Sequence, residues 1–315
     1  MGIQYVEPLS RGIARAKKAL FNPLDLKKWF VIGFTAFLAG LADVQVSGGG
    51  LPDLNIRKRS KINLEGIFSF PQKAVDWLAQ HPGWVIAIAI VTFLFCVLMI
   101  IITWLSSRGK FMFLDNVVWD RARVVAPWYE YSKEANSFFL WNLFWLIISA
   151  AIGIAYLVLC FMNLRALYES TESGRVLIVP AILAALGLVA ISIVSGFIYI
   201  LLRDFVVPIM YRDRITGWAA ILKLFPLFMS HLFHFVGYGI LLFCVGLIIV
   251  IGIIIFGCVT CCVGFIVLAI PYINAVVLLP ISYAMRSFSV EFLEQFGPEY
   301  HIFPRPDVSL QAPGE

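Results

Sequence analysis

The chain has 315 residues, of which 61% are hydrophobic and 14% are charged, and its formal net charge is +5. Soluble domains have about 45–50% apolar and about 25% charged residues, so this composition excludes an ordinary soluble protein. The basic residues lie beside apolar runs, where anionic lipid headgroups are the expected partners. Since the sequence has no recognisable nucleic-acid module, we expect membrane lipids, and not nucleic acid, as partners.

The N-terminal segment has the pattern of a basic amphipathic helix. After Pro8, the cations Arg11, Arg15, Lys17 and Lys18 alternate with apolar residues at helical spacing. This pattern is typical of a helix that lies in the membrane interface.

The first predicted crossing is Trp29–Val46, in which the apolar run to Ala42 has only fourteen residues. A signal peptide cleaved after Gly40-Leu41-Ala42 is a second interpretation, but the basic region before it is too long. A re-entrant segment is the third. If the segment crosses, seventeen Lys and Arg share one side of the membrane and seven lie on the other, whereas a re-entrant segment gives thirteen and eleven. The positive-inside rule favours the crossing, with both termini cytoplasmic in the cell (inner) membrane.

The next predicted crossings are Trp84–Leu105, Phe138–Met162 and Val176–Leu202. Charged and apolar residues mix between the first two, from Arg108 to Pro127, and again after the third, from Pro208 to Phe225. Both mixed stretches predict further interfacial helices on the cytoplasmic side. The long external loop before Trp84 carries the basic cluster Arg57-Lys58-Arg59-Ser60-Lys61, which we interpret as solvated.

The stretch Leu232–Met285 has fifty-four residues without Asp, Glu, Lys or Arg. A crossing needs roughly 20 apolar residues, so this stretch predicts two crossings, Leu232–Phe256 and Val263–Ala284. The short turn between them indicates a tight antiparallel hairpin.

Together these segments predict an all-α transmembrane bundle of six helices, arranged as three hairpins. Each hairpin is preceded by a cytoplasmic amphipathic helix, which gives one unit repeated three times. The units span approximately residues 8–105, 114–202 and 208–285, within a single membrane domain. Residues 286–315 are expected to form a cytoplasmic tail.

The turn between the last two crossings contains Cys258, Cys261 and Cys262. Small apolar packing is the leading interpretation, and a disulfide or a metal site are the alternatives. A four-ligand zinc site would need a partner that the sequence does not offer at a recognisable spacing.

Four other polar residues border the apolar runs. His231 and His234 lie on one helix face at the start of the fifth crossing, which favours an interfacial or capping role over a ligand or proton role. Arg203 and Asp204 end a twenty-seven-residue apolar run, where snorkelling to the interface is expected. Because adjacent residues do not face each other on a helix, their partners are expected from another segment.

No predicted crossing carries an acidic residue in its interior, which argues against an ion-driven transporter. The sequence shows no phosphate loop and no catalytic or metal-ligating constellation, so we assign no catalytic residue, cofactor or metal.

Several segments of the chain carry a resemblance to a known group. They are 261–265 (Cys-Cys-Val-Gly-Phe), Ile270-Pro271-Tyr272, Leu279-Pro280, 292–298 (Phe-Leu-Glu-Gln-Phe-Gly-Pro) and Pro8–Phe34. They resemble uncharacterised bacterial polytopic integral-membrane proteins, which are loosely similar to the membrane domain accompanying some glycerophosphodiester phosphodiesterases. The resemblance implies a structural membrane domain and carries over no catalytic residue. About thirty residues follow the last predicted crossing, so no phosphodiesterase catalytic domain is expected.

We therefore expect a non-enzymatic membrane protein that binds lipid or a partner protein, with a homo-oligomer as a further option. The alternative is a permease or channel for a small uncharged or amphipathic solute. A membrane-bound lipid enzyme is the third hypothesis.

Overall fold

The computed structural model describes residues 3–43, 64–171, 176–260 and 263–304. Within these ranges all regular structure is helical, which confirms the all-α class. The helices in chain order are α1 (Val6–Phe21), α2 (Leu26–Gly40), α3 (Leu64–Gln80), α4 (Pro82–Val118), α5 (Val125–Glu130), α6 (Ser132–Thr171), α7 (Ile178–Leu201), α8 (Val207–Asp213), α9 (Gly217–Ser230), α10 (Leu232–Val259), α11 (Val263–Ala269), α12 (Pro271–Val277) and α13 (Leu279–Glu294). A π-helical turn, Leu202–Val206, joins α7 to α8, and a short 3₁₀ turn, Pro298–Tyr300, follows α13.

The chain forms two compact units. Of the described residues, the first unit comprises 3–43, 103–142, 197–260 and 263–304, and the second comprises 64–102, 143–171 and 176–196. The basic cluster at 57–61 lies outside the described residues.

Four helical stretches of the described chain are long and apolar enough to cross a membrane. They are Pro82–Val118, Ser132–Ser170, Ile178–Asp213 and Leu232–Val259. The pair α12 and α13 adds a fifth if the two helices form one span, although they are bent by 66°. These helices fit a multi-pass membrane protein.

The prediction of six crossings is not confirmed. Helix α2 has 15 residues, and at 1.5 Å per residue it reaches about 22 Å, short of a hydrocarbon core of about 30 Å. The sixth predicted crossing is interrupted before Pro271 and again before Pro280. A proline lacks the amide hydrogen that a continuing helix needs, and Ile270, the residue before Pro271, has the extended backbone that this position prefers.

The predicted interfacial helix after Leu105 is not confirmed for its first half. Residues 109–118 continue α4, and every one of them is buried. These buried residues include Lys110 and Asp115, whose charges are paired inside the first unit. The mixture of charged and apolar residues predicted a helix at the membrane interface. In the structure it belongs to a buried helix whose charged side chains are paired.

Helix α1 forms where the amphipathic pattern predicts it, and its small face packs against α13. At Gly12, an added Cβ would lie 2.8 Å from the carbonyl oxygen of Ala284. On the polar side, Arg15 Nη2 donates to Glu291 Oε1 at 2.9 Å. Residues 286–294, predicted to begin a cytoplasmic tail, are the second half of α13.

An aromatic core joins the π turn to α10 and α13 in the first unit. Phe205 lies edge-on to Phe235 and Tyr238, at ring centroid distances of 5.0 Å and 4.9 Å, and Phe288 stacks on Tyr238 at 5.2 Å. All four rings are fully buried. Their apolar burial fixes the position of the π turn, and with it the polar residues that the turn carries.

In the second unit, α3 packs on α6 through Phe68, whose ring lies 5.7 Å from Phe161 and 5.2 Å from Tyr168. Helices α6 and α7 meet where Tyr156 donates a hydrogen bond to the carbonyl of Ala184 at 3.1 Å.

Candidate functional site

Lys110 of α4 lies at the centre of a buried polar cluster and is only 2% exposed. Its Nζ donates to Tyr199 Oη at 2.8 Å and to Ser106 Oγ at 3.2 Å, and it lies 3.4 Å from Asp43 Oδ1. Tyr199 in turn donates to the Asp43 carboxylate. Each ammonium hydrogen therefore has an acceptor, as a buried lysine requires.

Arg203 and Asp204 lie in the π turn that follows α7. The Arg203 guanidinium donates from Nε to Asp204 Oδ1 at 2.8 Å and from Nη2 to Asp204 Oδ2 at 3.2 Å. Its Nη1 donates to Asp43 Oδ2 at 3.3 Å. The expectation of a partner from another segment is met by Asp43, but the expectation that the two neighbours do not pair is wrong. Snorkelling does not describe Asp204, which is buried.

Two further side chains complete the cluster around Asp204. Tyr238 of α10 donates to Asp204 Oδ2 at 3.0 Å. Arg286 of α13 is 7% exposed, donates from Nη1 to the carbonyl of Arg203 at 2.8 Å and lies 3.8 Å from Asp204 Oδ1. Its Nε and Nη2 have no hydrogen-bond partner among the described residues.

A cavity of about 490 Å³, which we call the Arg203 cavity, adjoins this cluster in the first unit. Its polar side is formed by Asp43, Lys110, Arg203, Asp204, Ser282 and Arg286. Its apolar walls come mainly from α2 and α10, with Ala36, Gly40, Gly239, Phe243, Gly246 and Ile249 among the lining residues. At Gly40 and Gly246, an added Cβ would meet no atom within 4 Å. The small residues in these walls therefore leave the space open.

The polar side of the cavity has an excess of positive charge. Lys110, Arg203 and Arg286 carry three cations against the two carboxylates of Asp43 and Asp204. Removing ions from water is costly, and opposite charges offset that cost only with good geometry. Lys110 pairs with Asp43 and Arg203 pairs with Asp204. Arg286 has no carboxylate of its own.

A second polar cluster in the same unit surrounds Asp115. Arg121 donates to its carboxylate from Nη2 at 2.7 Å and from Nε at 3.1 Å, and Tyr211 donates to it at 3.0 Å. Burial raises the pKa of Tyr131, the second tyrosine beside this carboxylate, to about 12. The Asp115 carboxylate is matched by a bidentate arginine, so this cluster is a structural ion pair.

The predicted histidines lie outside the Arg203 cavity. The rings of His231 and His234 have centroids 5.7 Å apart, and His231 packs on Phe296 at 5.2 Å. His231 is the residue between α9 and α10. The structure thus brings together Arg203 and Asp204 of the predicted polar site, but places the two histidines elsewhere.

Cys258 is an exposed free cysteine near the end of α10. Cys261 and Cys262 lie outside the described residues, so the disulfide and metal alternatives for this turn stay predictions. In the part of the chain that the structure describes, no three His, Cys, Asp or Glu side chains are grouped to hold a metal ion.

Sequence reasoning missed Asp43, Lys110, Tyr199, Tyr238 and Arg286 as members of this site. The sequence pattern predicts interfacial or tail positions for Lys110 and Arg286, because each follows an apolar run. Lys110 and Arg286 are far apart in the chain, so the sequence gives no sign that both lie in the same cluster. The available signal was the charge itself, since a cation within the reach of an apolar helix needs a partner.

The model of a family described as a family of unknown function, DUF7544, matches residues 3–293. This match covers most of the chain, so the chain belongs to that family. No curated protein and no solved structure matches it. The expected resemblance to uncharacterised membrane proteins is therefore supported at the level of this family and of the long apolar helices. The comparisons show no link to glycerophosphodiester phosphodiesterases.

Proposed function

We propose that this member of the family is a non-enzymatic integral membrane protein that binds a lipid-like amphipathic molecule in the Arg203 cavity. The proposal rests on one observation: a single cavity is lined on one side by a buried, charged cluster and on the other by apolar residues. Its volume of about 490 Å³ lies within the range of about 300–1,000 Å³ for small-molecule sites.

An amphipathic ligand matches both sides of this cavity. The apolar part of the ligand would cover Ala36 and Ile249 and gain the usual free energy of apolar burial. Its polar end would meet the charged groups of the cluster, which an entirely apolar ligand would leave poorly solvated.

The wall formed by α10 offers a route from the surrounding lipid. Phe243 lines the cavity, yet 67% of this residue is exposed. Helix α10 is also one of the four helices that fit a membrane crossing. A lipid chain would therefore reach the cavity sideways past Phe243, without passing through water.

A cavity-filling substitution tests the proposal. Gly246→Leu places a side chain into the cavity at a position where an added Cβ meets no atom within 4 Å. Gly252→Leu is the matched control, because it lies on the same helix, is equally open and does not line the cavity. The purified full chain would be incubated with a photoactivatable fatty acid, and the labelled peptides identified by mass spectrometry.

We expect the wild-type protein and Gly252→Leu to be labelled on α2 and α10 near the cavity. Labelling there should fall severalfold in Gly246→Leu, while its melting temperature stays within a few degrees of the control. Equal labelling of all three proteins, or labelling spread evenly over the exposed helices, would overturn lipid binding in the cavity.

A permease for an amphipathic solute is the second candidate, and the broken pair α12 and α13 favours it. The bend of 66° lies just before Ile281, Ser282 and Met285, which line the cavity. Discontinuous helices beside a binding site are typical of secondary transporters. Reconstituted protein that binds the labelled fatty acid but does not accelerate its transfer between the leaflets of a vesicle would exclude this candidate.

A further inference from the structure

We infer that the polar end of the cavity ligand is an anion, a carboxylate or a phosphate, which binds at Arg203 and Arg286. This inference rests on the proposed cavity ligand and names its chemical class. It follows from three features of the cluster. The cluster has one more positive than negative charge, the Asp204 carboxylate is shared by Arg203 and Arg286, and two nitrogens of Arg286 have no acceptor among the described residues.

The Asp204 carboxylate forms close hydrogen bonds with Arg203 but not with Arg286. Its two oxygens accept from Nε and Nη2 of Arg203 at 2.8 Å and 3.2 Å, and Tyr238 also donates to it. Arg286 reaches the same carboxylate only at 3.8 Å. The positive charge of Arg286 is therefore the one that lacks a close counterion within the cluster.

The donors of Arg286 indicate the geometry of the missing partner. Nη1 is used by the carbonyl of Arg203, whereas Nε and Nη2 have no acceptor among the described residues. Nε and Nη2 form one edge of the planar guanidinium, and such an edge binds two oxygens of a carboxylate or phosphate side by side. Both nitrogens are covered by protein, so the guanidinium must turn toward the cavity to receive the anion.

The other cations are less suited to this role. Lys110 already gives its three hydrogens to Ser106, Tyr199 and Asp43. Arg203 lines the cavity and its side chain is 33% exposed, but its nitrogens donate to Asp43 and Asp204. Arg203 would therefore add electrostatic attraction, while Arg286 would supply new hydrogen bonds.

The experiment compares ligands that differ only at the polar end. Full-length protein in a neutral detergent would be titrated with hexadecanoic acid, with hexadecanol, with a phosphatidic acid and with inorganic phosphate, and binding followed by native mass spectrometry. We expect both acids to bind at least about tenfold more tightly than the alcohol, the scale of a charge-assisted bidentate contact. Inorganic phosphate should compete only at far higher concentration, because it lacks the chain that covers the apolar walls.

Variants of Arg286 assign the effect to this residue. Arg286→Gln should remove the preference for the acids, and Arg286→Lys should restore the charge but only part of the preference. Arg165→Gln is the control, since Arg165 lies in the second unit and pairs with Glu169 on the surface of α6. The comparison of acid with alcohol uses the wild-type protein, so it stands even if an Arg286 variant does not fold.

The outcomes separate this inference from the proposed function. Equal affinity for acid and alcohol would overturn the anionic ligand and leave amphiphile binding in place. If none of the chain-bearing ligands binds in the cavity while phosphate does, the anion site stands and the lipid-like ligand is wrong. An unchanged preference in folded Arg286→Gln would overturn the role of Arg286.

Discussion

Arg203 and Asp204 are neighbours in the chain, and they form a two-point ion pair with N–O distances of 2.8 Å and 3.2 Å. Adjacent side chains normally point away from each other on a helix. Here the π turn Leu202–Val206 and the buried ring of Phe205 hold both side chains at one polar cluster. Such π turns inside helices often mark functional sites, and this one adjoins the Arg203 cavity.

Asp204→Asn should strongly destabilise the first unit, because it leaves Arg203 and Arg286 without the carboxylate that they share. Removing one partner of a buried ion pair typically costs about 3–5 kcal/mol in the free energy of unfolding. Denaturant unfolding in a fixed detergent would measure the change. Asp76→Asn, at an exposed position of α3, is the control and should unfold like the wild type. A stable Asp204→Asn protein would show that the pair does not support the fold.

Asp43 and Lys110 should be energetically coupled. Lys110→Met should be severely destabilising, because it removes the ammonium that pairs with the Asp43 carboxylate and donates to Tyr199 and Ser106 in a buried site. Adding Asp43→Asn should recover part of the loss, with a coupling free energy of about 1–3 kcal/mol for groups in one network. A double-mutant cycle on unfolding free energies measures this value. Strict additivity of the two changes would contradict the pairing seen at 3.4 Å.

Gly109→Ala should loosen the packing of α4 on α2. The added Cβ would lie 2.4 Å from the backbone nitrogen of Ala39 and 2.5 Å from the carbonyl carbon of Leu38, so the helices would have to separate. Overpacking of this kind costs about 1–3 kcal/mol. Gly40→Ala, on the neighbouring helix, meets no atom within 4 Å and should change the melting temperature little. Equal melting temperatures for the two variants would speak against this contact.

The predicted arrangement in the membrane can be tested with reporter fusions. If residues 29–46 cross, a fluorescent protein fused after Glu315 should mature in the cytoplasm, and alkaline phosphatase at the same site should be inactive. Fusions after Ser173 should give the opposite result, because that loop is predicted to be external. The same reporter pattern at both sites would rule out an odd number of crossings between them, and a periplasmic C terminus would contradict the charge argument.

The order of apolar runs was enough to predict helices α4, α6, α7 and α10, since each run is long and its hydropathy alone indicates a helix. The charge of Arg203 and Asp204 at the end of such a run was enough to mark them as unusual. Whether α2 and the pair α12 and α13 cross the membrane was harder to predict. The apolar run of α2 is short, and prolines interrupt the run that forms α12 and α13.

By itself the sequence determined long apolar helices that fit a multi-pass membrane protein, because composition and run length depend only on which residues are present and in what order. It also placed a polar pair at 203–204. Only the tertiary structure decided that Asp43, Lys110, Tyr238 and Arg286, up to 243 positions apart in the chain, share one cluster beside a cavity. Aromatic packing of α10 and α13 on the π turn brings Tyr238 and Arg286 to Asp204, and such long-range packing leaves no periodic signal in the sequence.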